Sequence, residues 1–194
     1  TTCAKIIRLN TNGTVDATFV QGTGFDGNIS ALTTQADGKI IVGGDFLMYN
    51  GAVANRIIRL NLDGSRDTSF NSGIGLSAGT VEVIKANALG SIIVGGSFSG
   101  TYNGVDVNRL LLLDSNGVLD PIFDIGAGPA TGTVYALTEE TDGSWYAGGS
   151  FSIFDSQNQG RLAKIDVVGA MDIGYLTAGV GFDNSVSKVV SLSD

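Results

Sequence analysis

Acidic side chains hold most of this chain's reactive chemistry: 19 Asp and Glu, no histidine and one cysteine, Cys3. Without histidine, Ser-His-Asp and Cys-His nucleophile systems are excluded within this segment, as is His-ligated zinc. Carboxylate chemistry remains. Glu139, Glu140 and Asp142 form the densest cluster, and paired carboxylates cleave glycosidic bonds. They flank a turn, however, and neighbours along a strand point to opposite faces, so a solvated turn is the simpler reading. Asn10/Asn12/Asp16, Asn61/Asp63/Asp67 and Asp114/Asn116/Asp120 share one spacing, and such oxygen donors suit calcium. Glycine falls fourth in each run, whereas an EF-hand loop needs it sixth, with Glu twelfth. Asp166 and Asp172 keep the spacing but enclose Val168. Tight hairpin turns, with the later Asp accepting bonds from turn amides, explain the pattern. No catalytic residue, metal ligand or cofactor is assigned, and the partner-binding residues are left open.

Other features exclude more than they suggest. Gly22-Thr23-Gly24 and Gly126-Ala127-Gly128 open no helix, so they read as connections and not as phosphate loops. A net charge of −8 with scattered Lys and Arg disfavours nucleic acid. No apolar run reaches the roughly 18 residues of a membrane-spanning helix. Cys3 has no internal partner. It reads as a small residue near a strand start, the alternative being a pairing outside the segment.

The acidic turns are periodic, which leads to the elements that hold them. Gly13, Gly64, Gly117 and Gly169 lie 51 to 53 residues apart, and the Gly-Gly-x-Phe phrases at Gly43, Gly95 and Gly148 keep the same period. Phe19, Phe70, Phe123 and Tyr175 recur once per unit, as do Phe46, Phe98 and Phe151, which predicts packing between units. Lys5, Arg56, Arg109 and Arg161 recur too. A cation in each unit reads as bonded to turn carbonyls or to Asp67-type carboxylates.

Within residues 80–132, Thr80–Ala86 reads as a half-buried strand, Ser91–Phe98 as a strand covered on both faces, Arg109–Asp114 as a third and Val118–Phe123 as a short edge strand bearing Pro121. The fold predicted is all-β: a β-propeller-type array of four-stranded antiparallel meander blades, repeating about every 52 residues. An open β-solenoid fits less well, since its coils are shorter. Residues 1–27 supply the last two strands of a blade; 28–79, 80–132 and 133–184 are full blades; 185–194 supply the first strand of another. Closed propellers have roughly 4–8 blades, so the residues are expected to be a portion of a longer polypeptide.

These phrases resemble the delta-60 repeat, a β-propeller repeat of bacterial surface and secreted proteins and of bacteriophage virion proteins. The resemblance rests on Arg56–Asn61, Asp63-Gly64, Asp67–Phe70, Gln35–Lys39, Ile41–Phe46 and Asn50-Gly51, and it covers essentially the whole chain. It departs at Trp145-Tyr146-Ala147, at Phe154-Asp155-Ser156 and at Val167-Val168-Gly169. It implies an extracellular, cell-surface or virion setting, including adhesive appendages such as a tail fibre.

Three longer loops, Leu47–Asn55, Ser99–Asn108 and Ser152–Gly160, fall at the end of the meander opposite the tight turns. They carry Met48, Tyr49, Tyr102 and Phe154. Variable loops on a rigid frame are where binding resides, although Tyr49 and Tyr102 also read as closing over the blade. The function expected is a non-enzymatic structural and interaction module that binds a protein or glycan through this loop face. The alternatives are a carbohydrate-active enzyme using axial carboxylates drawn from Glu82, Glu139 and Glu140, and a purely architectural spacer.

Overall fold

Short apolar runs broken by Asn, Asp and Gly turns fold into strands throughout. The computed structural model describes residues 5–175 and 181–192; Cys3 lies outside them. The first blade holds β1 (Ile29–Thr34), β2 (Ile40–Gly44), the small hairpin β3 (Met48–Tyr49) and β4 (Ala52–Val53), and β5 (Ile57–Leu60). The second holds β6 (Val81–Ala86), β7 (Ile92–Tyr102) and β8 (Val105–Leu113). The third holds β9 (Val134–Glu139), β10 (Trp145–Gly149), β11 (Ile153–Phe154), β12 (Gln157–Asn158) and β13 (Leu162–Ile165). The main sheets run β1-β2-β5, β6-β7-β8 and β9-β10-β13, all antiparallel. The register repeats as well: Ile41 pairs Arg59, Ile93 pairs Leu112 and Tyr146 pairs Lys164.

The fourth element of each blade is brief. It meets the third strand through single bridges, Leu60 to Arg66, Leu113 to Leu119 and Ile165 to Met171, with Leu9 to Val15 in the opening half-blade. The next Asp ends it. Asp67 Oδ1 accepts the Ser69 amide at 2.9 Å, and the Phe70 amide closes on Asp67 O. That local turn bends the chain inward and buries Phe70.

The three long loops are a correction. Each is a β-hairpin: β3–β4, β11–β12, and the outer halves of β7 and β8. Both central turn residues have positive φ, at Asn50 (51°) and Gly51 (75°), Asn103 (54°) and Gly104 (86°), and Asp155 (44°) and Ser156 (64°). Such turns match the twist of the flanking strands and favour Asn-Gly. The hairpins also fold back over the blades. Tyr49 Oη donates to Gly64 O at 2.5 Å and Tyr102 Oη to Gly117 O at 2.6 Å, and both tyrosines are buried. They therefore close over the blade and present no free binding ring.

The core lies between blades. One cluster joins Ala31, Ile41 and Ile57 of the first blade to Val81, Ile84 and Val94 of the second. Another joins Ile93, Leu110 and Leu112 of the second to Val134, Leu137 and Trp145 of the third. The third joins Ile6 and Phe19 to Val42 and Ile58. Each buried Val, Ile, Leu or Phe contributes about 1.5–3 kcal/mol, and a lone blade of this size would forfeit much of that.

The double glycines allow this approach. A Cβ on Gly95 would stand 2.7 Å from Val134 Cγ1 of the next blade, and one on Gly148 would stand 2.7 Å from Val186 Cγ1. The second glycine of each pair faces the residue just before its own blade's first strand: Gly44 against Asn28 O, Gly96 against Thr80 O and Gly149 against Thr133 O. Near the end of the chain, the Val186 amide donates to Gly149 O. No ladder forms over 185–192, where a first strand was expected.

Candidate functional site

Polar chemistry concentrates at the seams between blades. In the first blade, β5 presents Arg59 and the fourth element presents Asp67. Their side chains are only 4% and 8% exposed, and Arg59 Nε lies 2.8 Å from Asp67 Oδ2. Lys39 Nζ approaches the same oxygen at 2.9 Å. Arg59 also donates to Gln35 Oε1, to Ser69 Oγ and, across the seam, to Ser115 O in the second blade's turn. The guanidinium lies 5.0 Å from the centre of the Phe70 ring. Burial pushes the Asp67 carboxyl upward, but the Ser69 hydroxyl, Lys39, the Ser69 amide and Arg59 outweigh it. They hold Asp67 well below the usual carboxylate range.

The preceding seam repeats this arrangement. Arg8 Nε donates to Asp16 Oδ2 at 2.9 Å, Nη1 donates to Leu62 O of the next turn, and the guanidinium covers Phe19 at 5.2 Å. The hydroxyl and amide of Thr18, with Arg8, lower the Asp16 carboxyl. Arg59 and Arg8 thus staple one blade to the next. The sequence reading singled out Arg56 and its counterparts instead. The signal for the staples was Arg in the third place of both Ile6-Ile7-Arg8-Leu9 and Ile57-Ile58-Arg59-Leu60, facing an Asp eight residues on.

The Arg56 set does different work. Arg56 Nε donates to Gly79 O at 2.6 Å and Nη1 to Leu76 O at 2.8 Å. Arg109 repeats this with Gly132 O and Pro129 O, and Lys5 Nζ with Gly27 O and Asp26 O. Arg161 donates to Ser150 O. These cations pin carbonyls, mostly of the connecting segments between blades. All four sit at positive φ, between 60° and 77°, a conformation that costs a non-glycine residue about 1 kcal/mol or more and that sequence periodicity does not reveal.

Like-built seams, a register that recurs blade by blade and, among the described residues, strands without helices define a stacked-blade array. A family model described as "Domain of unknown function (DUF5122) beta-propeller" matches residues 1–19, 35–70, 90–123 and 140–172, more than half of the chain. The chain belongs to the DUF5122 β-propeller family. No curated protein matches it.

In this DUF5122 propeller the turn carboxylates serve the backbone. Asp63 Oδ1 accepts the Ser65 amide, Asp114 Oδ1 the Asn116 and Val118 amides, and Asp166 Oδ1 the Val168 and Ala170 amides. Among the described residues no three Asp, Glu, Cys or His converge, and no helix is long and apolar enough to cross a membrane. β1 packs on β6 and β6 on β9, so the first strands of the blades line one edge of the array. Glu82 is the second residue of β6 and Glu139 the last of β9. Glu139 reaches Asn87, the residue that follows β6, so the two carboxylates stand near opposite ends of that strand. Glu139 accepts a bond from Asn87 Nδ2 of the second blade at 2.9 Å, and Asp142 accepts the Ser144 hydroxyl and amide.

The second blade departs from the two units before it at the staple. Leu112 and Ser91 stand where Arg59 and Lys39 stand, while Asp120 and Phe123 keep the places of Asp67 and Phe70. A cleft of about 400 Å³ opens there, walled by Leu110, Leu112, Leu119, Asp120, Phe123 and Ile125 among others.

Proposed function

We propose that this chain is a non-enzymatic structural and interaction module of the delta-60 type, within a larger extracellular surface protein or a virion appendage. It binds a protein or glycan through the face formed by its hairpins. One observation carries this reading: a run of exposed apolar side chains on a stiff frame. Leu47, Met48 and Val53 lie on or beside the β3–β4 hairpin, with Met48 and Val53 paired across it, and Val105 begins β8. Ile74, 63% exposed, sits between the two hairpins, because Asn55 donates to its carbonyl and its amide donates to Asn103 Oδ1 at 3.0 Å. Apolar groups held in the open by hydrogen-bonded hairpins mark interaction surfaces.

The reading is tested with a glycan array and an array of surface-protein fragments, each probed with the wild-type chain and with an Ile74→Asp, Met48→Asp variant of unchanged melting temperature. A spot bound by the wild type and lost in the variant supports it. Binding that survives both substitutions, or hydrolysis of an arrayed glycan, contradicts it.

A further inference from the structure

The seams supply an internal template for what the cleft of the second blade would hold. At two seams the same position is filled by a guanidinium. It pairs with an Asp at 2.8–2.9 Å, covers the ring of a Phe three residues further on at 5.0–5.2 Å, and donates to a carbonyl of the next turn. At the seam between the second and third blades Leu112 is too short to do any of this. The receiving groups are nonetheless present. Asp120 Oδ1 accepts the Ile122 amide at 2.8 Å, as Asp67 Oδ1 accepts that of Ser69. Among the described residues no cation lies within ion-pair distance of Asp120. Phe123 is half-buried, whereas Phe19 and Phe70 are 4% and 5% exposed. Asp106 and Asp124 also border the cleft, and the chain as a whole is acidic, at −8.

We propose that this cleft receives an arginine side chain presented by a partner polypeptide, whose guanidinium takes the place beside Asp120 and Phe123 that Arg59 takes beside Asp67 and Phe70. Arginine is favoured over lysine because the template uses a planar fork that pairs with a carboxylate and stacks on a ring at once. The aliphatic stem would lie along Leu110, Leu112 and Leu119. This site does not depend on the hairpin-face reading.

The test titrates the 194-residue chain, with labelled leucine methyls, against three blocked tripeptides: acetyl-Ala-Arg-Ala-amide and its lysine and citrulline counterparts. The proposal expects saturable shifts of the Leu112 and Leu119 methyls with the arginine peptide. The neutral citrulline peptide should bind at least tenfold more weakly, and lysine should fall between them. Asp120→Asn should lose at least tenfold in arginine affinity while keeping its melting temperature. Leu112→Arg, which fills the cleft from within, should raise the melting temperature and abolish the shifts. The proposal is overturned by an absence of saturable shifts, by equal binding of arginine and citrulline peptides, or by undiminished binding to Asp120→Asn. The Asp120→Asn arm decides the matter even if Leu112→Arg fails to fold.

Discussion

Arg59 and Asp67 form a buried ion pair at 2.8 Å whose guanidinium also holds the neighbouring blade by the carbonyl of Ser115. The pair belongs to a seam and not to a pocket, so its removal should register as lost stability. Asp67→Asn leaves Arg59 buried without its counter-charge, and Lys39 with only the more exposed Asp37 at 3.7 Å. Breaking such a pair from one side costs about 3–5 kcal/mol, to be read from urea unfolding at pH 7. Asp120→Asn, lacking a cationic partner, should cost less than about 1 kcal/mol.

The same pair fixes a pH dependence. The Asp67 carboxyl is depressed in the folded state, so the folded state binds its proton more weakly than the unfolded chain does. Its stabilisation is fully present above the unfolded carboxylate range near pH 4 and is lost as pH falls below it. Wild-type stability should decline steeply from about pH 4 downward. Asp67→Asn should show a shallower decline, and equal slopes in the two proteins would contradict this.

Tyr102 and Tyr49 lie under the hairpins, and burial pushes both phenols up from their usual range. Their hydroxyls satisfy the carbonyls of Gly117 and Gly64. Tyr102→Phe should cost about 1–2 kcal/mol, since it leaves a buried carbonyl unpaired, and Tyr49→Phe should cost a similar amount. Thermal unfolding checks this; a loss of partner binding without a loss of stability would return these rings to the binding face.

Ser156 carries a φ of 64° where the other two hairpins have glycine. Ser156→Gly relieves that strain and should raise stability by about 0.5–1 kcal/mol, the gain net of the extra freedom glycine gives the unfolded chain. Gly104→Ala in the neighbouring hairpin, where φ is 86°, should destabilise.

The strands and their spacing were legible because Gly-Gly, Asn/Asp-Gly and Phe recur in register, and each has a local physical meaning. The hairpins were not read as such, although Asn50-Gly51 and Asn103-Gly104 are favoured hairpin turns. Their flanks lack a long alternating pattern, and in the third blade Asp155-Ser156 disguises the same turn. The seam chemistry was half visible. A cation per repeat can be seen in the sequence, but whether Arg56 or Arg59 crosses to the next blade depends on where the following turn comes to rest. Leu112 reads as one more apolar residue in a strand. Its place in the repeat matches that of Arg59, and its register opposite Ile93, as Arg59 stands opposite Ile41, shows that the guanidinium is missing from the seam.

That each blade is keyed into the next is most directly tested by a double-mutant cycle across one seam, using Gly43 of the first blade and Val81 of the second. A Cβ on Gly43 would stand 3.0 Å from Val81 Cβ and 2.6 Å from Ile84 Cδ1. Gly43→Ala alone should cost about 1–3 kcal/mol through overpacking. Combined with Val81→Ala it should cost at least about 1 kcal/mol less than the two single effects added. Strictly additive effects would mean that the glycine does not receive the neighbouring blade, contradicting the keyed array.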